Sequence, residues 1–170
     1  MINLQQYLQR PMSIKIKNIN YQNIKNIRIL EPLLTNWFRN PKELNMVEPR
    51  LSYPFNFKKW IELSYKDSNV ESFVCEKDEW IIGIGNIKLN EESKRAHIFH
   101  IFTDITHRNE GMATKMLTYL ELLAKNRKIE ILTINVMPKN LSAKSLYKKY
   151  GFQNVKTNKE NWERMEKLIA

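Results

Sequence analysis

The feature that most constrains this chain is the run from Ala96 to Phe152, where two hydrophobic periods alternate around a single glycine turn. Ala96 to Thr103 alternates and is rich in β-favouring residues, so it reads as a buried strand ending at polar Asp104. After a link from Asp104 to Glu110, apolar residues recur at Met112, Met116, Tyr119, Leu120 and Leu123, the spacing of one helical stripe. Ile129 to Val136 reads as a second strand. A strand-helix-strand unit crosses over right-handed and makes its strands parallel, and ligands of such units lie at the strands' carboxyl ends. Asn140 to Phe152 then reads as a short helix, capped by Asn140 and closed by Gly151. Ala143, Leu146, Tyr147 and Tyr150 share one face of it, a spacing that by itself means core packing.

The turn Arg108-Asn-Glu-Gly-Met-Ala113 has the chemistry of an anion site. Gly111 permits a backbone conformation and a close approach that a Cβ hinders. The unpaired N–H groups of the helix's first turn, with its dipole, favour a phosphate or pyrophosphate, and Arg108 adds a charge-assisted contact. The hexapeptide alone also fits an ordinary strand-to-helix turn.

The order of these motifs resembles the GNAT superfamily of acetyl-coenzyme A dependent N-acetyltransferases. That family carries R/Q-x-x-G-x-G/A after its fourth strand, matched by Arg108, Gly111 and Ala113. Later it carries N-x-x-A-x-x-x-Y-x-x-x-G-F, matched by Asn140, Ala143, Tyr147, Gly151 and Phe152. The likeness covers residues 72 to 157 well and the N-terminal third loosely. It implies a mixed α/β (α+β) GNAT fold: a central, mostly antiparallel sheet of about seven strands with one parallel pair, flanked by helices. The whole of 1–170 is expected to form one domain, with a cofactor-binding core at about 96–152 and a wall of the acceptor pocket at about 21–66.

The resemblance also implies roles. Main-chain groups of Phe102 and Thr103 pair with the pantetheine arm of acetyl-CoA, and amides from Asn109 through Glu110, Gly111, Met112 and Ala113 to Thr114 hold its pyrophosphate, beside Arg108. Asn140 contacts the arm. Tyr147 protonates the departing thiolate, a task suited to a phenol of ordinary pKa about 10. The reaction is direct transfer to a neutral amine, with a backbone N–H near the end of the first strand aimed at the oxyanion. Many relatives have glycine at Asn109 and proline at Ile105; asparagine visits positive φ, so the loop is still expected to form. Relatives often carry a glutamate base where this chain has His97 or Asn135. Asparagine is no base, which leaves His97 as base or as a strand histidine bonded within the sheet. His100 is expected on the opposite face from His97 and His107 in the loop, an arrangement that argues against a metal.

A chain of 170 residues, 42% hydrophobic and 27% charged, is long enough for a full core and too apolar for overall disorder. The single Cys75 excludes an intrachain disulfide, sits in a strand pattern as core rather than nucleophile, and suits a reducing cytosol. No apolar run has the length of a membrane span and no signal-like block opens the sequence, so a cytoplasmic protein, monomer or homodimer, is expected. The net charge of +10 is scattered, without the aromatic-interleaved basic stripe of single-strand binders, so no specific nucleic-acid partner is expected. The charge disfavours a free polyamine as acceptor. The partner expected is an amine-bearing small molecule or protein; the rival reading is an acyl-coenzyme A binding or sensing module without catalysis.

Elsewhere, Ile2 to Gln9 reads as a short helix and Ser13 to Lys17 as an opening strand. A helix over about 21–38 is expected to kink or divide at Pro32. Residues 39–55 read as a structured loop that either lines a pocket or fastens to the core, and Asn56 caps a helix to about Lys66. Glu48, Glu62 and Asp67 are the acidic residues there, each expected on the solvated surface unless it attracts an amine. Glu71–Glu76, Trp80–Leu89 and the central strand form a meander, with Gly83 and Gly85 marking a bulge or close approach. Asn154 to Thr157 reads as a strand. The last segment has helical spacing at Trp162, Met165 and Ile169, but the resemblance implies a strand hairpinned through Asn158 to Asn161, and the strand is the expectation taken.

Overall fold

The computed structural model describes residues 14–157 and 162–170. Its first half runs β1 (Ile14–Ile19), α1 (Ile24–Trp37), α2 (Pro41–Val47), α3 (Phe57–Ser64), β2 (Val70–Lys77), β3 (Trp80–Asn90) and β4 (Arg95–Thr103). A 3-10 turn (Ile105–His107) leads into α4 (Met112–Asn126), β5 (Ile131–Val136), α5 (Leu141–Lys149), β6 (Gln153–Thr157) and β7 (Glu163–Leu168). The expected helix at Ile2–Gln9 and the Asn158–Asn161 turn lie outside the described residues. Asparagines start four of the helices: the side chains of Asn23, Asn40, Asn56 and Asn140 each accept a first-turn backbone N–H.

The strands form one seven-stranded sheet ordered β1-β2-β3-β4-β5-β7-β6, antiparallel except between β4 and β5. This is the mixed fold expected from the sequence. One face is covered by α4 and α5, with Met116, Leu117, Leu120, Tyr147 and Phe152 in its core. The other carries α1 and α3 over an aromatic layer of Tyr21, Phe38, Trp60, Tyr65 and Phe102. Gly85 brings α4 onto the sheet, because a Cβ there would stand 2.4 Å from Met116 Cγ.

Two irregularities in β4 position everything that follows. Ile84 pairs with Phe102 and Asn86 with Phe99, so two residues of β4 face the single Gly85. This is a β-bulge, with His100 at φ 46°. In addition, β4 and β5 stay paired only from Arg95–Ile131 to Ile98–Ile134, and beyond that the strands part.

Two expectations need correction, and one ambiguity is settled as expected. Helix α1 is neither divided nor ended at Pro32, which lies inside it. Pro32 is exposed, and the carbonyl it leaves without an intrahelical partner belongs to Arg28, which is exposed as well. The stretch read as loop at 39–55 contains α2, whose Asn40 cap followed by Pro41 is a helix-start signal. The C-terminal segment is a strand, as the resemblance implied, because β7 pairs β5 along the edge that β4 does not cover, whatever the helical spacing of its apolar residues.

Candidate active site

Where β4 parts from β5, a cavity of about 530 Å³ opens between the end of β4, the turn before α4, and the start of α5. All the residues expected to hold the cosubstrate border it except Glu110. The carboxylate of Glu110 turns out to Lys77 on β2, 2.7 Å away, so only its main chain is left for the turn. Asn109 at φ 62° and Gly111 at φ 80° both take the left-handed conformation expected of them. A Cβ on Gly111 would meet nothing within 4 Å, so its requirement is the backbone angle rather than space. Gly111 O accepts from Lys115 N, and the amides of Met112, Ala113 and Thr114 precede the first intrahelical bond. These orphan donors face a groove bordered by Lys42, Arg108 and Lys139, against one carboxylate, Glu43. Donors and charges of that kind fit a diphosphate.

The groups around the cavity are differently engaged. The ring of Phe102 is buried against Trp37 and Phe38, 5.1 and 5.2 Å between centroids, which leaves its main chain for the groove. Arg108 donates to Thr103 O and to both oxygens of Glu43 on α2, and lies over the Phe102 ring. Asn140 Oδ1 caps α5 through Ala143 N at 3.3 Å. Tyr147, on the inner face of α5, makes no hydrogen bond with its hydroxyl to another described residue, and burial pushes its pKa up. It is a phenol kept protonated beside the cavity. Cys75 is buried with its thiol pKa raised by burial, in keeping with a core residue.

A second cavity, of about 380 Å³, lies along β4 next to the first; Val47 of α2 borders both. Residues 97–100 of β4 line it, whereas Ile101, Phe102 and Thr103 line the other. His97 and His100 therefore open on the same cavity, not on opposite faces. The bulge at His100 breaks strand alternation, and His100 stacks on Trp60 at 4.0 Å within the aromatic layer. Asn135, the other position matched to a carboxylate in relatives, borders this cavity too.

The two histidines have different partners. His100 Nε2 is 2.9 Å from Glu48 Oε2 and its Nδ1 2.7 Å from Tyr65 Oη. Burial would raise the pKa of Glu48, but hydrogen bonds from Arg50 and His100 outweigh it and hold the carboxyl at about 2. An ionised carboxylate only accepts, so His100 donates through Nε2 and accepts from the Tyr65 hydroxyl through Nδ1. Burial keeps this ring neutral, with both nitrogens used. The surface position expected for Glu48 is thus overturned, since it is 2% exposed and its charge is met by the guanidinium of Arg50. His97 Nδ1 is 2.8 Å from Thr133 Oγ1, and Nε2 has no partner among the described residues. Burial, with the positive charges of Arg164, Lys88 and Arg50 nearby, lowers its pKa to about 4. No group of three or more His, Cys, Asp or Glu suited to a metal occurs among the described residues. No helix among them is long and apolar enough to cross a membrane.

A family model, the Acetyltransferase (GNAT) family, matches residues 32–152, a span that holds the lining of the first cavity and all of the second except Trp162. The chain belongs to the GNAT family of acetyltransferases. Human N-acetyltransferase 8 is 27% identical over 85 residues, 48% of this chain but only 37% of that protein's length. The PaiA N-acetyltransferase of Thermoplasma acidophilum, solved with coenzyme A, superposes with a TM-score of 0.69 at 18% identity, covering 92% of this chain and 99% of that one. The spermidine N-acetyltransferase of Vibrio cholerae, solved with coenzyme A and spermine, gives 0.72 at 16% identity, over 91% and 95%. At such identities the likeness establishes the GNAT fold. The family is one of acyltransferases for which acetyl-coenzyme A is the cosubstrate.

The turn from Arg108 to Ala113 borders the first cavity as expected, whereas α2 was not expected from the sequence. Glu43, Met46 and Val47 all border the groove, and the Asn40-Pro41 pair was the signal available for them.

Proposed function

We propose that this chain moves the acetyl group of acetyl-coenzyme A to a primary amine on a small molecule or a protein. The observation that carries the reading is the meeting of two cavities on consecutive residues of β4, with a protonated phenol at one and an unprotonated imidazole at the other. Residues 96–152 hold the cosubstrate, which supplies the activated acyl group; residues 21–66 wall the acceptor side, and 1–170 acts as one acetyltransferase domain.

The amine nitrogen forms a bond to the acyl carbon as the carbon–sulfur bond breaks. His97 Nε2 takes the proton that the nitrogen sheds. A base of pKa about 4 is too weak to deprotonate a free alkylammonium, so the amine arrives neutral and His97 acts once attack has acidified the nitrogen. Tyr147 gives its proton to the sulfur. The second cavity holds Glu48 and Asp67, each already paired, with Arg50 and Lys88 respectively. With no excess of carboxylate there, an acceptor with one amine fits better than a polyamine.

The test is thiol release from acetyl-coenzyme A with a panel of amines that includes a polyamine and peptides with free N-termini. Tyr147→Phe is expected to leave coenzyme A affinity intact and to lower kcat on the order of 10²-fold. Unchanged turnover removes Tyr147 as the acid. Tight coenzyme A binding with no turnover on any amine favours the sensing module instead.

A further inference from the structure

We infer that Thr133 is a positioning residue that fixes the tautomer of His97, holding its proton on Nδ1 so that Nε2 presents a lone pair to the acceptor cavity. This rests on His97 being the base. His97 and Thr133 stand opposite each other in the parallel β4–β5 pair, one step before the strands part. Thr133 is 2% exposed, so its hydroxyl must find its partners inside the protein.

It has two. Its oxygen is 2.8 Å from His97 Nδ1 and 3.3 Å from the carbonyl oxygen of Ala96. A carbonyl accepts and never donates, and a hydroxyl has one proton. Both contacts are hydrogen bonds only if Thr133 donates to Ala96 and accepts from His97 Nδ1–H. The other tautomer costs the Ala96 bond and points an N–H at the amine, where no proton can then be taken. The ring is further held by Phe99, parallel to it within 5°. The two carboxylates that border the same cavity are engaged elsewhere, Glu48 with Arg50 and His100 and Asp67 with Lys88, and neither bonds the imidazole.

The experiment uses the full chain with ¹⁵N-labelled histidine at neutral pH, His97 resonances being assigned by their loss in His97→Gln. A protonated Nδ1 with a pyridine-like Nε2 is expected. Thr133→Val should lose that pattern and lower kcat about tenfold or more with KM for acetyl-coenzyme A unchanged, and Thr133→Ser should restore both. A protonated Nε2 in the unmutated chain overturns the inference, as does Thr133→Val with the original tautomer and kcat. The unmutated spectrum decides even where Thr133→Val fails to fold. The two readings fail differently. His97→Gln with undiminished kcat, beside an Nδ1–H spectrum, removes the base and with it any catalytic role for Thr133. Lowered kcat in His97→Gln beside an Nδ1–H spectrum that Thr133→Val leaves unchanged removes Thr133 alone.

Discussion

Arg108 and Glu43, which both line the first cavity, form a two-pronged ion pair, with Nη2 2.6 Å and Nη1 3.2 Å from the carboxylate oxygens. The pair joins α2 to the turn before α4, so the guanidinium that would serve a diphosphate is shared with a carboxylate of like charge to that ligand. Glu43→Gln removes the competitor. It is expected to tighten coenzyme A binding about fivefold, the effect of roughly 1 kcal/mol, by isothermal titration. Stability should change by no more than about 1 kcal/mol, since Arg108 remains partly exposed. Weaker binding in this variant would mean that Glu43 orients Arg108 instead of competing for it.

Gly111 offers a cleaner separation of binding from folding. A side chain there has open space around it, so the cost of Gly111→Val lies in holding φ at 80°, about 1–2 kcal/mol. The relaxed alternative turns the first amides of α4 away from the groove. Coenzyme A affinity should fall at least tenfold while urea unfolding shifts by that modest amount. Full affinity in a calorimetric titration would refute the cradle.

What could be read in advance follows from how local each signal is. The turn at Arg108–Ala113, the Asn140 cap and the Tyr147 face are written within a few consecutive residues, and the structure assembles them around one cavity. The meander and the parallel pair followed from period and connection length. The common side of His97 and His100 did not, because the bulge that undoes strand alternation depends on Gly85 across the sheet and on the aromatic layer that receives His100. Nor did the burial of Glu48, whose partners Arg50 and His100 are two and 52 residues away. A carboxylate reads as surface until the fold brings it a guanidinium and an imidazole.

That carboxylate fastens α2 to β4. Arg50 Nε and Nη2 reach its two oxygens at 2.8 and 2.6 Å, and His100 Nε2 donates to the second. Glu48→Ala takes one of several partners from the half-exposed Arg50 and leaves the buried Nε2–H of His100 without its acceptor, and is expected to cost about 1–3 kcal/mol, read from urea or thermal unfolding. Loss of under about 1 kcal/mol would show that water replaces the carboxylate from the cavity side.

The histidines give the fold a defined acid sensitivity. The pKa of His97 is lowered from 6.5 to about 4, and that of His100 is lowered too, both first by burial. The unfolded chain therefore binds protons that the folded chain refuses, so stability is fully present above the unfolded value and falls as pH drops from about 6.5 toward the folded values. For His97 alone, at about 1.4 kcal/mol per pH unit, the loss by pH 5 is about 2 kcal/mol. Glu48, held at about 2, adds a loss that begins only below its own unfolded value of 4.5. Urea unfolding between pH 8 and pH 5 should thus show a decline well before the carboxylates titrate, and His97→Gln should flatten it by about 2 kcal/mol. If the unmutated chain is equally stable at both ends of that range, neither imidazole is held neutral by the fold, and the lone pair on His97 would no longer be secured at neutral pH.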